Sequence, residues 1–165
     1  MAWDGAKDVE PLHIRPASAA DSGKLAALIR VAFAAQPVAV NPPPSALGVT
    51  RDDIARHLQA AGGAVAELSG EIAGAVLWEQ QEMDLYISRL AVDPRHRRRG
   101  VATSLLVAAE STARQAGLAR LLLGTRLVLI GNRKLFAARG FAEVSRHCHP
   151  GFAEPTWVAM EKRLT

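Results

Sequence analysis

Two apolar runs frame the middle of the chain, "DLYISRLAV" (84–92) and "ARLLLGTRLVLI" (119–130). What lies between them constrains the fold most. The first run is halted by Pro94. From Gly100 onward the apolar residues Val101, Leu105, Ala109, Ala113 and Ala116 recur at helical spacing, until Gly117 ends the segment. Strand, helix and strand in this order predict a parallel crossover between Leu85 and Ile130, of the right-handed kind.

The flanking segments supply the rest of an α/β chain. "LHIRP" reads as a strand stopped by Pro16, and "SAADSGKLAALIRVAFAA" as a helix. Ser18 and Asp21 stand at capping-box spacing, with Leu25, Leu28, Ile29, Ala32 and Phe33 on one face. Pro42, Pro43 and Pro44 forbid its continuation. Thr50 with Asp53 opens a second helix carrying Ile54, Ala55 and Leu58, which ends near Gly62 and Gly63. "GAVAEL" and "IAGAVLWEQ" around "SGE" predict a hairpin. After the second apolar run, "NRKLFAARG" predicts a short helix with Asn132 as N-cap and Gly140 at its end. "FAEVSRHCH" and "TWVAMEKRL" are the last two strands. The sum is a mixed α/β sheet of about seven strands with about four helices. A hydrophobic content of 49% over 165 residues is globular and sufficient for one domain spanning 1–165, with 1–11 as a flexible lead-in.

The junction "VDPRHRRRGVA" (92–102) packs four arginines and a histidine ahead of a helix start. A helix N-terminus offers amide N–H groups without intrahelical acceptors and a partial positive charge, so it suits an anion. Gly100 and Ala102 let a phosphate approach the backbone, and the arginines add charge. The competing reading is an exposed loop with solvated arginines. The stretch is neither a Walker A loop nor G-x-G-x-x-G. The net charge of +4 also admits nucleic acid, but one short arginine cluster is a small footprint for a phosphate backbone, so no nucleic-acid partner is expected. No apolar run approaches the ~20 residues of a membrane span, and no membrane partner is expected. The lone Cys148 and an N-terminus without an apolar h-region predict a cytoplasmic protein.

In its full register, "LAVDPRHRRRGVATSLL" resembles motif A of the GNAT superfamily of N-acetyltransferases. Arg97, Gly100 and Ala102 fill the positions of [RQ]-x-x-G-x-[GA]. "IRPASAADSGKLAALI" is similar to the family's first strand and helix, "NRKLFAARGFAEV" to its motif B, and "WVAMEKRL" to its closing strand, so the resemblance runs from about Leu12 to Leu164. It implies a three-layer GNAT-like fold and acetyl-CoA as cosubstrate, with no metal. Backbone amides of Arg97, Arg98, Arg99, Gly100, Val101, Ala102 and Thr103 would hold the pyrophosphate. Backbone groups of Leu90, Ala91 and Val92 would pair with the pantetheine arm, and Asn132 and Phe136 would flank the thiol end. The amide of Val92 would stabilise the developing oxyanion. A homodimer through the last strands is compatible with the resemblance.

Acetyl transfer needs a neutral amine, a polarised carbonyl and a stabilised thiolate. Many relatives place a proton-donating tyrosine where this chain has Phe136, which has no proton to give. The single tyrosine, Tyr86, shares a face with Ser88, Leu90 and Val92 if the strand alternates regularly, and it stands where some relatives carry a glutamate base. Packing on a sheet face is its other reading. Among nearby carboxylates Glu79, Glu82 and Asp84, Glu79 is the candidate base, against solvated loop charge. His147 and His149 would share a strand face, but two histidines make a poor zinc site. Their loop, with "QPVAVNPPPSALG", is expected to wall the acceptor pocket; Trp78 and Trp157 would add apolar surface there, against core packing as their default role. The expected reaction is acetylation of a small-molecule amine by direct attack in a ternary complex. A protein or peptide amine, or a non-catalytic acyl-CoA sensor, are the alternatives.

Overall fold

The computed structural model describes residues 11–164; most of the expected lead-in lies outside them. Among the described residues are seven strands and four α-helices. Strand β1 (His13–Pro16) leads through a 3-10 turn into α1 (Ser22–Ala34), and α2 (Arg51–Ala60) follows the proline-rich loop. The hairpin strands are β2 (Gly62–Leu68) and β3 (Glu71–Gln81), and β4 (Asp84–Val92) follows. Helix α3 (Val101–Gln115) connects to β5 (Arg120–Arg126), then come α4 (Ile130–Ala138), β6 (Ala142–His147) and β7 (Trp157–Arg163).

The strands form one sheet in the order β1-β2-β3-β4-β5-β7-β6, and β4–β5 is its parallel pair, joined through α3 as the crossover requires. Two apolar layers enclose it. Leu25, Ile29 and Ile54 of α1 and α2 cover Val65, Ala75, Leu77 and Ala91 on one face. Val101, Leu105 and Ala109 of α3 and Phe136 of α4 cover Val76, Leu85, Ile87 and Leu123 on the other. The cap at α2 forms as its sequence specifies. The Thr50 hydroxyl accepts the Asp53 amide at 3.2 Å, and the Asp53 carboxylate accepts the Thr50 amide at 2.9 Å. Asp21 likewise accepts the Ser18 amide at 2.8 Å, and Arg15 grips its carboxylate at 2.8 Å while also pairing with Glu67.

Four expectations need correction. The second apolar run does not stay a strand to Ile130: β5 ends at Arg126, and α4 starts at Ile130 with Leu129 as its N-cap. Asn132 therefore lies inside the first turn of α4, not at its cap. Strand β6 ends at His147, so His149 lies beyond it; its amide and ring both bond the Thr156 hydroxyl, while His147 stacks on Trp157 at 4.3 Å. Trp78 packs with the α3-side core and does not wall a pocket.

The fourth correction concerns β4. The β3–β4 register shifts between Leu77, which faces Arg89, and Trp78, which faces Ile87, so Ser88 is an extra residue in a bulge. Alternation breaks there. Tyr86, opposite Glu79, and Arg89, opposite Leu77, lie on the α1 face. Leu90 and Val92 pack with the α3-side core. Tyr86 thus does not share a face with Leu90 and Val92.

Candidate active site

The bulge coincides with a parting of the sheet. β4 and β5 pair over Asp84–Ile87 against Arg120–Leu123 and no further. At the joined end Arg120 bonds Asp84 at 2.8 Å and Glu161 of β7 at 2.9 Å. Beyond Ile87 and Leu123 the strands diverge around a cleft of about 300 Å³. From the α1 face it is lined by Phe33, Ser45, Tyr86, Arg89, Arg126 and Trp157; from the other, Leu90, Leu123, Asn132 and Phe136 contribute.

The backbone of β4 has open valences on the cleft side. The Asp93 amide donates to the Ala73 carbonyl at 2.8 Å, which sets the phase of the antiparallel ladder. Ala91 and Arg89 therefore direct their N–H and C=O toward β3, whereas Leu90 and Val92 direct theirs toward the side that β5 has left. The Ala91 carbonyl's closeness to Gly74 agrees.

At the end of β4 the chain turns through Pro94–His96 into α3. Asp93 organises the turn: its carboxylate accepts the Arg95 amide at 2.9 Å and pairs with the Arg95 guanidinium, which holds the carboxyl below the ordinary aspartate range. His96 tucks beneath with both ring nitrogens buried and unbonded among the described residues. Arg97 donates to the Ala35 carbonyl at the end of α1, at 3.1 Å. Arg98 and Arg99 are exposed, without a described partner. Arg98 and Gly100 both have positive φ, 63° and 76°, and space beside Gly100 is open for 4 Å around where a Cβ would sit. The first helical bond of α3 runs from the Ser104 amide to the Gly100 carbonyl, so the amides of Val101, Ala102 and Thr103 lack intrahelical acceptors. Of the four arginines in the run, two are thus held by the fold and two face outward.

Gly74 of β3 explains how α3 reaches its position. A Cβ there would sit 2.6 Å from Val101 Cγ1 and 3.2 Å from Leu105 Cδ1. The first turn of α3 therefore lies directly on the strand.

Residues 18–141 match a family model, that of the acetyltransferase (GNAT) family. The chain belongs to the GNAT family. It is accordingly an acetyl-CoA-dependent N-acetyltransferase. Solved structures share the GNAT fold at low identity. The ribosomal-protein-S18-alanine N-acetyltransferase from Escherichia coli superposes with a TM-score of 0.76 at 18% identity, over 94% of this chain and 95% of that one. The PaiA N-acetyltransferase from Thermoplasma acidophilum, solved in complex with coenzyme A, gives 0.76 at 15% identity, over 93% and 99%. The IAA acetyltransferase from Bacillus cereus gives 0.69 at 18%, over 93% and 100%. No curated protein matches the sequence.

Within this GNAT frame the expected site residues separate into groups. Leu90, Asn132 and Phe136 line the cleft with Tyr86. Phe136 is 6% exposed and meets Phe141 edge-to-face at 5.9 Å, so it serves as a wall. Glu79 lies across from Tyr86 on the same face but outside the cleft, accepting from Gln81 at 2.9 Å. Among the described residues no group of three or more histidines, cysteines and carboxylates could hold a metal, and no helix is long and apolar enough to cross a membrane. Sequence reasoning passed over Arg89 and Arg126. The signal was available: each is a charge within a predominantly apolar run.

Proposed function

We propose that this GNAT enzyme transfers the acetyl group of acetyl-CoA to a primary amine of a small molecule, by direct attack in a ternary complex. The observation that carries this reading is the parting of β4 from β5. It opens a passage through the sheet, so a donor and an acceptor can meet from opposite faces. The open space at Gly100 and the row of unbonded amides fit a pyrophosphate at one end of that passage.

The thioester supplies an electrophilic carbonyl and a thiolate leaving group. Amides of Arg97 through Thr103 bind phosphate, with Arg98 and Arg99 adding charge at the rim. Leu90 and Val92 offer backbone groups to an extended pantetheine as to an added strand, while Ala91 supports them from the β3 side. The Val92 amide donates to the negative charge that develops on the carbonyl oxygen. Asn132 and Phe136 flank the sulfur. The amine nitrogen forms the new amide bond as the carbon–sulfur bond breaks; the amine loses one proton and the thiolate takes one up. Phe136 can carry neither proton. The Tyr86 hydroxyl inside the cleft donates a proton to the thiolate, and Glu79, beside it, accepts the amine's proton through water and returns it to Tyr86.

Calorimetry with acetyl-CoA and CoA, followed by a free-thiol readout on an amine panel, tests the reading. Tyr86→Phe is expected to lower kcat about 100-fold and alter the pH–rate profile while CoA affinity stays within about twofold. An unchanged rate and profile removes Tyr86 from the mechanism, and absence of CoA binding refutes the reading itself.

A further inference from the structure

Half of the arginines of this fold pair with carboxylates. Arg15 pairs with Asp21 and Glu67, Arg114 with Glu110, Arg120 with Asp84 and Glu161, and Arg133 with Glu143. Arg89 and Arg126 have no carboxylate partner among the described residues, and both line the cleft. Arg89 donates to the Ser45 hydroxyl at 3.0 Å and lies over the Phe33 ring at 6.0 Å. Arg126 donates to the Pro42 carbonyl at 2.8 Å. These bonds leave most of their guanidinium donors uncommitted.

Both arginines stand on the α1 face. Arg89 pairs with Leu77 of the α1-side core, and Arg126 is anchored to the proline-rich loop that packs there. Burial lowers the proton affinity of both guanidinium groups, and burial together with the Arg126 charge lowers that of His149 beside them. Among the described residues no aspartate or glutamate lines the cleft. Two half-buried cations without a carboxylate partner cost stability unless something completes them. The donor does not: its charges are phosphates, at the other end of the passage, and the pantetheine arm that reaches the cleft is neutral.

Resting on the reaction proposed above, we infer that the acceptor is an amine that also carries a carboxylate, an amino-acid-type molecule held by Arg89 and Arg126. The two guanidinium groups grip the carboxylate on the α1 face, and the amine, a few bonds away, is directed past Tyr86 toward the thioester. A cleft of about 300 Å³ shared with the end of the pantetheine limits the acceptor to roughly amino-acid size. Polyamines and other polycationic acceptors are disfavoured by the same two charges.

The test compares the standard amino acids and β-alanine with their carboxamides, with their decarboxylated amines, with an aminophosphonate and with spermidine. Calorimetry first establishes CoA binding, and free thiol then reports turnover. A second readout is the thermal shift each compound produces on the CoA-bound protein. At least one amino carboxylate is expected to exceed its carboxamide by about 10- to 100-fold in kcat/KM. Arg89→Met and Arg126→Met should each raise KM for that acceptor more than tenfold and abolish its thermal shift, leaving CoA affinity within about twofold, and Arg126→Lys should restore part of the effect. Preference for the aminophosphonate over every carboxylate overturns the choice of anion. Equal use of carboxamides, preference for spermidine, or neither turnover nor shift with any amino carboxylate overturns the inference while CoA binding stands. Failure of CoA to bind instead refutes the proposed reaction.

Discussion

Replacing Gly74 by alanine tests whether one strand position seats the whole donor cradle. The new methyl group would lie 2.6 Å from Val101 Cγ1 and 2.9 Å from the Ala91 carbonyl oxygen. Carbon atoms rest about 3.5–4.0 Å apart, so the first turn of α3 must retreat by about 1 Å. Val101 cannot simply rotate away, because a β-branched side chain in a helix is confined largely to one rotamer. It is 2% exposed, the first residue of α3, and part of the amide row after Gly100. Overpacking of this kind costs about 1–3 kcal/mol, and replacing a strand glycine returns about 0.5–1 kcal/mol, so the net loss is about 1–2 kcal/mol. For a chain of this length that corresponds to roughly 2–8 °C in Tm. A retreat of about 1 Å also stretches an amide–phosphate hydrogen bond out of range; losing one such bond, at about 1.5–3 kcal/mol, weakens CoA tenfold or more. Thermal unfolding by circular dichroism and calorimetric titration with CoA measure the two effects separately. Adding Val101→Ala relieves one of the two collisions and should return part of the affinity. A Gly74→Ala protein with the parent's Tm and CoA affinity would refute the seating argument, and a lowered Tm with unchanged affinity would sever it from the cradle.

Two further outcomes follow from local features. Gly100 and Gly117 have φ of 76° and 70° with open space around each, so valine at either position should cost a similar backbone strain of about 1–2 kcal/mol or somewhat more. Only Gly100→Val should weaken CoA tenfold or more by calorimetry; equal affinities in the two variants would contradict the cradle. Asp21, gripped by the Arg15 guanidinium, has its pKa lowered to about 2. A depressed carboxyl stabilises the fold above the ordinary aspartate range near 4 and loses that contribution as pH falls through about 2. Urea unfolding should therefore show Asp21→Asn less stable by about 2 kcal/mol at pH 7, with the difference shrinking between pH 4 and pH 2; a pH-independent difference would assign the loss to packing.

The sequence is most legible where structure is locally encoded. Thr50 and Asp53 cap a helix because the bonds lie three residues apart, and Gly100 ends a loop in a left-handed turn that few other residues adopt readily. The bulge at Ser88 was not legible, because "DLYISRLAV" alternates acceptably in either phase and only its pairing with β3 selects one. Regular alternation therefore puts Tyr86 on the wrong face. The apolar stretch after Thr125 also reads as strand by composition, yet the chain turns at Leu127 and Val128 to start α4. The arginine run illustrates the same limit: charge was visible, but not that Arg95 is held by Asp93 and Arg97 by the Ala35 carbonyl.

The short seam between β4 and β5 makes the sheet a wedge with its apex at Ile87 and Leu123, and the Asp84–Arg120 ion pair pins the seam at its far end. A wedge converts a small angular change at its apex into a larger displacement at its mouth. The aperture between Arg89 on one arm and Arg126 on the other is therefore set partly by an ion pair whose residues are not among those lining the cleft. Changes at Arg120 or Glu161 can thus tune which acceptors fit, leaving every residue of the cleft in place.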